Sequence, residues 1–156
     1  MKILVDADGC PVKDIIIDVA RKYNIKVVLV KNICHELYDD YAEIVTVDKG
    51  RDMADIALIN NTEEGDIVVT QDYGVAAMAI AKKATAINQN GWAYTEDNID
   101  GLLMKRYIGQ EIRKNHRKYT KIPKRTKKDD IRFKKLLISC LEGGNRTSSS
   151  KGRKNL

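Results

Sequence analysis

Residues 2–30 read KILVDADGCPVKDIIIDVARKYNIKVVLV, and the pattern of this stretch decides the fold class. Lys2–Asp6 is a short apolar run of the buried-strand kind. A break at Gly9, Cys10 and Pro11 follows it, with Pro11 placed where a helix begins. From Val12 to Tyr23 the apolar residues Val12, Ile15, Ile16, Val19, Ala20 and Tyr23 recur at steps of three and four, the spacing of one helix face. Lys26–Val30 is a second apolar run. Strand, helix, strand is thus written into the first thirty residues.

Working outward, the same alternation continues. A polar loop from Lys31 to Tyr41 leads to a third strand at Glu43–Val47, then a helix from about Asp52 to Asn60 and a turn at Thr62–Gly65. Asp66–Thr70 is the fourth strand, an alanine-rich helix covers about Gly74 to Lys83, and Ala84–Asn88 is the fifth strand. Strands separated by helices require right-handed crossovers, which give a mainly parallel sheet covered on both faces. The expected fold is therefore α/β, with a five-stranded, mainly parallel sheet and helices on both sides.

After Gly91 the pattern becomes purely helical. Ile99, Leu102, Leu103, Tyr107, Ile108 and Ile112 define a helix from about Asn98 to Lys118, and a basic connector over 119–128 holds Pro123. A last helix, about Asp129 to Leu141, turns Phe133, Leu136, Leu137, Cys140 and Leu141 inward. Residues 1–142 are expected to form a single domain, including a C-terminal helical extension from about residue 98. Residues 143–156 (GGNRTSSSKGRKNL) read as a disordered basic tail.

Composition narrows the class of protein. The 156 residues are 43% hydrophobic, enough for one core without covalent staples. The longest apolar runs fall far short of the roughly 20 residues that span a bilayer. Asp6 and Asp8 interrupt the N-terminal apolar stretch too early for a signal peptide. Three cysteines without C-x-x-C spacing give neither a disulfide framework nor a zinc ribbon. The expected setting is cytoplasmic, with no membrane partner; oligomeric state has no signature in the sequence.

The net charge of +6 conceals an asymmetry. Residues 1–104 carry 10 Lys+Arg against 18 Asp+Glu, net −8, while residues 105–156 carry 18 against 4, net +14. Such a split between halves is an electrostatic footprint of nucleic-acid binding as well as of a solvated helix face.

The acids of the first half fall at telling places. Asp6 ends the first strand and Asp8 lies two residues beyond; Asp72 lies two residues past the fourth strand. Asp52 and Asp55 are three apart at the start of a helix and so share a face. Ligands of open parallel sheets bind at the carboxyl ends of the strands, where strand order reverses. If the first and fourth strands are neighbours there, these acids meet in one pocket. Each also has a local reading: Asp52 and Asp72 as helix caps, Asp8 as a turn residue.

Gathering them has an electrostatic cost. Two carboxylates ~4 Å apart repel by about 4 kcal/mol at an effective dielectric of 20. A hard divalent cation offsets this, and Mg²⁺ or Mn²⁺ suits an all-oxygen donor set. Such a site is suited to phosphodiester hydrolysis. An acidic pocket alone repels a polyanion, so a basic flank is needed to hold the backbone. Arg113, Lys114, Arg117, Lys118, Lys121, Lys124 and Arg125 are the candidates for that nucleic-acid contact.

Five segments carry a family resemblance: VDADGCPVK (5–13), GRDMADIALI (50–59), GDIVVTQDY (65–73), NGWAYTEDNI (90–99) and DDIRF (129–133). In this order they resemble the YaiI/YqxD family of small bacterial proteins, over residues 1 to about 142. That family is in turn similar to the PIN-like superfamily. Its metal-dependent ribonucleases carry an acid after the first strand, one in a mid-domain helix and one after the fourth strand. The resemblance implies Asp6, Asp55 and Asp72 as catalytic metal ligands, Asp8 and Asp52 as auxiliary acids, and RNA ahead of DNA as substrate. The PIN-type glutamate of an early helix has no match here, which leaves one metal or two open.

Two rival readings stand beside this one. Asp6-Ala7-Asp8 after a first strand also resembles haloacid-dehalogenase-type phosphatases, although Cys10 and Val30-Lys31-Asn32 depart from that pattern. A non-catalytic RNA- or ribosome-associated binding module would use the basic half alone. Trp92 and Tyr94 are read as core in preference to base-stacking platforms, Cys10 as an ordinary small residue, and Cys34-His35 as a pair without function.

Overall fold

In the computed structural model, residues 1–50, 52–101 and 124–150 are described, with the backbone alone for 144–150. The elements are β1 (Lys2–Asp6), α1 (Lys13–Tyr23), β2 (Lys26–Asn32), β3 (Glu43–Val47), α2 (Met53–Asn60), β4 (Ile67–Val69), α3 (Tyr73–Ala81), β5 (Thr85–Asn88), β6 (Trp92–Ala93) and α4 (Lys127–Ser150). The sheet runs in the order β3-β2-β1-β4-β5-β6. The first five strands pair in parallel, with Asp6 opposite Val30 and Val5 opposite Val69.

Alternation along the strands sorts the core into two layers, as period-two geometry requires. Ile3 and Val5 of β1, Val27 and Leu29 of β2, and Ile67 and Val69 of β4 face α1 and α4. Leu4, Val28, Val30 and Val68 face the other way, onto Leu58 of α2 and Val75, Ala76 and Ala79 of α3. Helices thus cover both faces, as expected. α2 and α3 are apolar almost all round, so Met53, Ile56 and Met78 remain exposed on their outer side.

Among the described residues the sheet has six strands where the sequence pattern implied five. β6 pairs antiparallel to β5 through only Ile87–Ala93 and Asn88–Trp92. Two residues are too few to show a period, which is why the strand escapes pattern reading. Gly91 makes the turn at φ +90°, and a Cβ there would lie 2.6 Å from Cγ of Arg132 in α4. Only glycine permits this close approach of helix to hairpin.

The C-terminal helix is part of the core. Phe133 and Leu137 are fully buried and Leu141 nearly so, packed with α1 against the sheet; Leu136 and Cys140 are partly buried beside them. The helix continues to Ser150, beyond Gly143, where the sequence reading began a disordered tail. Gly143 and Gly144 each cost about 1 kcal/mol relative to alanine, and an already nucleated helix can propagate across them in the absence of proline. The other C-terminal helix is helical over 96–101, with Ile99 in the core; the remainder of the expected Asn98–Lys118 helix falls outside the described residues. Among the described residues no helix is long and apolar enough to cross a membrane.

Candidate functional site

β1 pairs with β2 on one side and β4 on the other, so the chain crosses over in opposite directions from the centre of the sheet. A crevice opens at the carboxyl ends of β1 and β4, the switch point of an open parallel sheet. Asp6 closes β1 at this crevice, and Asp8 follows it. Asp72 lies just beyond β4, at the start of α3. Asp55 comes from the first turn of α2, the helix packed over β1 and β2.

The carboxyl of Asp6 registers this convergence. Burial, then the charges of Asp55, Asp8 and Asp72, push it up to about 6. Burial disfavours the ionised form, and like charges act in the same direction. Acids from separate stretches of chain are therefore within electrostatic reach of one side chain.

Their oxygens are also used locally. Asp72 is the N-cap of α3, and its Oδ1 accepts from the backbone N–H groups of Gly74 at 2.8 Å and Val75 at 3.2 Å. The N–H of Asp72 itself donates to Thr70 Oγ1 at 3.0 Å. Asp8 Oδ2 accepts from the N–H of Asn32 at 2.9 Å, and its Oδ1 lies 4.0 Å from His35 Nε2. Asp8 thus tethers the loop that follows β2. Among the described residues no three His, Cys, Asp or Glu side chains are grouped as a ready metal cage.

Asp52 stands apart from this group. It is exposed, adopts φ +65° at the N-cap position of α2, and makes no side-chain cap bond. It is not among the acids that raise Asp6. Asp52 precedes α2 and Asp55 lies in its first turn, and both line a groove of about 550 Å³ between α2 and α3. A second cleft of about 400 Å³ is lined by Asp6, Asp8, Thr70, Gln71, Tyr73 and Gln89, and Asp72 borders both.

Residues 4–143 match the sequence profile described as Uncharacterized BCR, YaiI/YqxD family. The chain belongs to the YaiI/YqxD family. It is 75% identical over 142 residues to a UPF0178 protein of Alkaliphilus oremlandii, covering 91% of this chain and 92% of the relative. It is 57% identical over 137 residues to a UPF0178 protein of Natranaerobius thermophilus, covering 88% and 93%. It is 47% identical over 133 residues to a UPF0178 protein of Clostridium perfringens, covering 85% and 89%. No solved structure matches the chain.

In this YaiI/YqxD chain the basic flank is described only at its end. Arg113, Lys114, Arg117, Lys118 and Lys121 lie outside the described residues, and Lys124 is exposed. Arg125 is engaged within the fold: Nε donates to Asp130 Oδ1 at 2.8 Å and Nη1 to Asn90 Oδ1 at 2.9 Å. It fastens the start of α4 to the β5–β6 turn.

Of the aromatics, Tyr94 is core. Its hydroxyl donates to the carbonyl of Thr70 at 3.1 Å and accepts from Asn88 Nδ2 at 2.9 Å, and burial pushes the phenol up to about 12. Trp92 is half-buried with its ring 4.5 Å from that of Tyr94. Cys10 is buried and burial raises its thiol, so it lacks the thiolate character of a reactive cysteine.

Sequence reading missed two glutamines. Gln71 and Gln89 extend from β4 and β5, and Gln71 Nε2 donates to Gln89 Oε1 at 2.6 Å on the cleft wall. No local signal in the sequence marks them, because only the adjacency of β4 and β5 in the sheet brings the two residues together.

Proposed function

We propose that this chain is a PIN-like, Mg²⁺- or Mn²⁺-dependent nuclease that hydrolyses phosphodiester bonds, in RNA ahead of DNA. The reading rests on one observation: Asp6, at the switch point of the sheet, shares a cleft with Asp8 and Asp72, and its carboxyl is raised by burial and then by the charges of Asp55, Asp8 and Asp72. The donor set is all oxygen, which suits a hard cation, and the mutual repulsion of these acids is what a cation relieves.

Asp6, Asp55 and Asp72 would hold the ion, with Asp8 and Asp52 at the periphery. A divalent ion at this point supplies Lewis-acid chemistry, making water a better nucleophile and offsetting negative charge at the phosphorus centre. Asp6 anchors the site because β1 is hydrogen-bonded on both sides and cannot shift easily. Thr70 and Tyr94 steady the β4 end that carries Asp72. The basic segment, including Lys124, would hold the nucleic-acid backbone that the acids alone would repel.

The local bonds of Asp8 and Asp72 favour a second reading, a non-catalytic nucleic-acid-binding protein in which these acids tie down backbone. A thermal-shift titration with Mn²⁺, run beside an RNA cleavage assay, separates the two. Under the nuclease reading the wild type gains stability along a one-site curve and cuts RNA, while Asp6→Asn does neither. An unchanged melting point at millimolar Mn²⁺, with RNA bound but intact, selects the binding protein.

A further inference from the structure

The cleft beside Asp6 has a neutral wall that the acids do not explain. Gln71 lies two residues past the end of β4 and Gln89 one past the end of the neighbouring parallel strand β5, and their amides are joined by one hydrogen bond of 2.6 Å. That bond consumes one donor of Gln71 and one lone pair of Gln89. A primary amide has two donors and two acceptor lone pairs, so the pair still presents an oxygen of one amide beside an NH₂ of the other. Exchanging the O and N assignments of both amides leaves the same kind of face. Gln71 is exposed and Gln89 half-buried, so this face is open to solvent while its base is held.

Tyr73 lines the same cleft, with its ring braced edge-on by Tyr94 at 6.0 Å. An aromatic face together with a fixed donor–acceptor edge is the requirement for holding an unpaired nucleobase by stacking and by its hydrogen-bonding edge. The charge of the cleft points the same way. Among the described residues no Lys or Arg lines this cleft, so the glutamine wall offers nothing to a phosphate and its contacts suit an uncharged part of the ligand.

We propose that this cleft takes one unpaired base of a single-stranded nucleic acid and that Gln71 and Gln89 read its edge, with adenine preferred. Adenine places an amine beside a ring-nitrogen acceptor on both its Watson–Crick and Hoogsteen edges, whereas cytosine, guanine and uracil each present a matching donor–acceptor pair on their Watson–Crick edge alone. Adenine thus has two ways to meet an amide oxygen beside an amide NH₂. The inference rests on the nuclease reading for its substrate class and adds base specificity to it. A matched two-bond contact of this kind discriminates by roughly tenfold or more.

The test is fluorescence anisotropy on the full chain carrying Asp6→Asn, in Mg²⁺, so that the probe stays intact. Probes are five-nucleotide RNAs of uridine flanks with adenosine, cytidine, guanosine, uridine or an abasic residue at the centre. The expected result is tightest binding of the adenosine probe, roughly tenfold over the abasic one. Adding Gln71→Ala and Gln89→Ala should bring all five probes to the abasic level. Both side chains lie at the surface, and an unchanged melting point shows that the variant is folded. Equal affinity for the adenosine and abasic probes overturns the proposal, as does a ranking that survives loss of both amides. Cleavage by the wild type in Mn²⁺ is scored separately, so failure of the nuclease reading is distinguishable from failure of base reading.

Discussion

Asp8 Oδ2 accepts a 2.9 Å hydrogen bond from the backbone N–H of Asn32, joining the segment after β1 to the end of β2. The carboxylate therefore has a structural task independent of any ion. Asp8→Ala leaves that N–H without its partner and should cost about 1–2 kcal/mol in urea unfolding. Asp8→Asn retains an acceptor oxygen and should cost less. If the two variants lose equal stability, the bond is not what Asp8 contributes.

Asp6 gives a pH dependence of defined sign. Its folded-state carboxyl titrates at about 6 against an ordinary 3.8, so the native state holds the proton more tightly than the unfolded chain. Stability is then fully present below about pH 4 and falls as pH rises to 6, by up to about 3 kcal/mol. Asp6→Asn removes this loss. With chelator present, the variant should exceed the wild type in stability at pH 7.5, and the difference should shrink towards pH 4. A difference that is constant with pH would show that Asp6 does not titrate in this way.

The legible part of the fold was the part written in runs and periods. β1 to β5 were each bounded by polar or glycine-containing segments, and the inward face of α4 followed from the spacing of Phe133, Leu137 and Leu141. The order of the strands carries no local signal, so the meeting of Asp6 with Asp72 could be expected only on the condition that β1 and β4 are neighbours. β6 was illegible for want of length. The engagements of Asp8 with Asn32 and of Gln71 with Gln89 were illegible for another reason: each joins positions well apart in sequence, at or just past strand ends, through a single hydrogen bond, and composition holds no trace of such a bond.

Tyr94 links the site to the core. Its hydroxyl bridges Asn88 Nδ2 and the Thr70 carbonyl, all within buried surroundings. Tyr94→Phe preserves the ring and orphans both partners, which should cost about 1–3 kcal/mol. The same variant loosens the β4 end that positions Asp72. Chemical denaturation measures the first effect. A loss well under 1 kcal/mol would mean that the partners find other bonds.

The burial of Phe133 makes α4 a load-carrying layer of the domain. Phe133→Ala should destabilise the chain by about 3–5 kcal/mol, the range for a large aromatic removed from a packed core. A cost near zero would mean that α4 can leave the sheet without consequence.

Asp72 separates structural from chemical use of one carboxylate. As N-cap of α3 it satisfies the N–H groups of Gly74 and Val75, and asparagine caps about as well as aspartate. Asp72→Asn should therefore leave stability nearly unchanged without metal, whereas Asp72→Ala should cost about 1 kcal/mol. Under the nuclease reading both variants lose stabilisation by Mn²⁺ and both lose cleavage, because the charge is gone in each. Under the binding-protein reading Asp72→Asn behaves as wild type throughout. Melting curves of the two variants, with and without Mn²⁺, distinguish a cap from a ligand at the same residue.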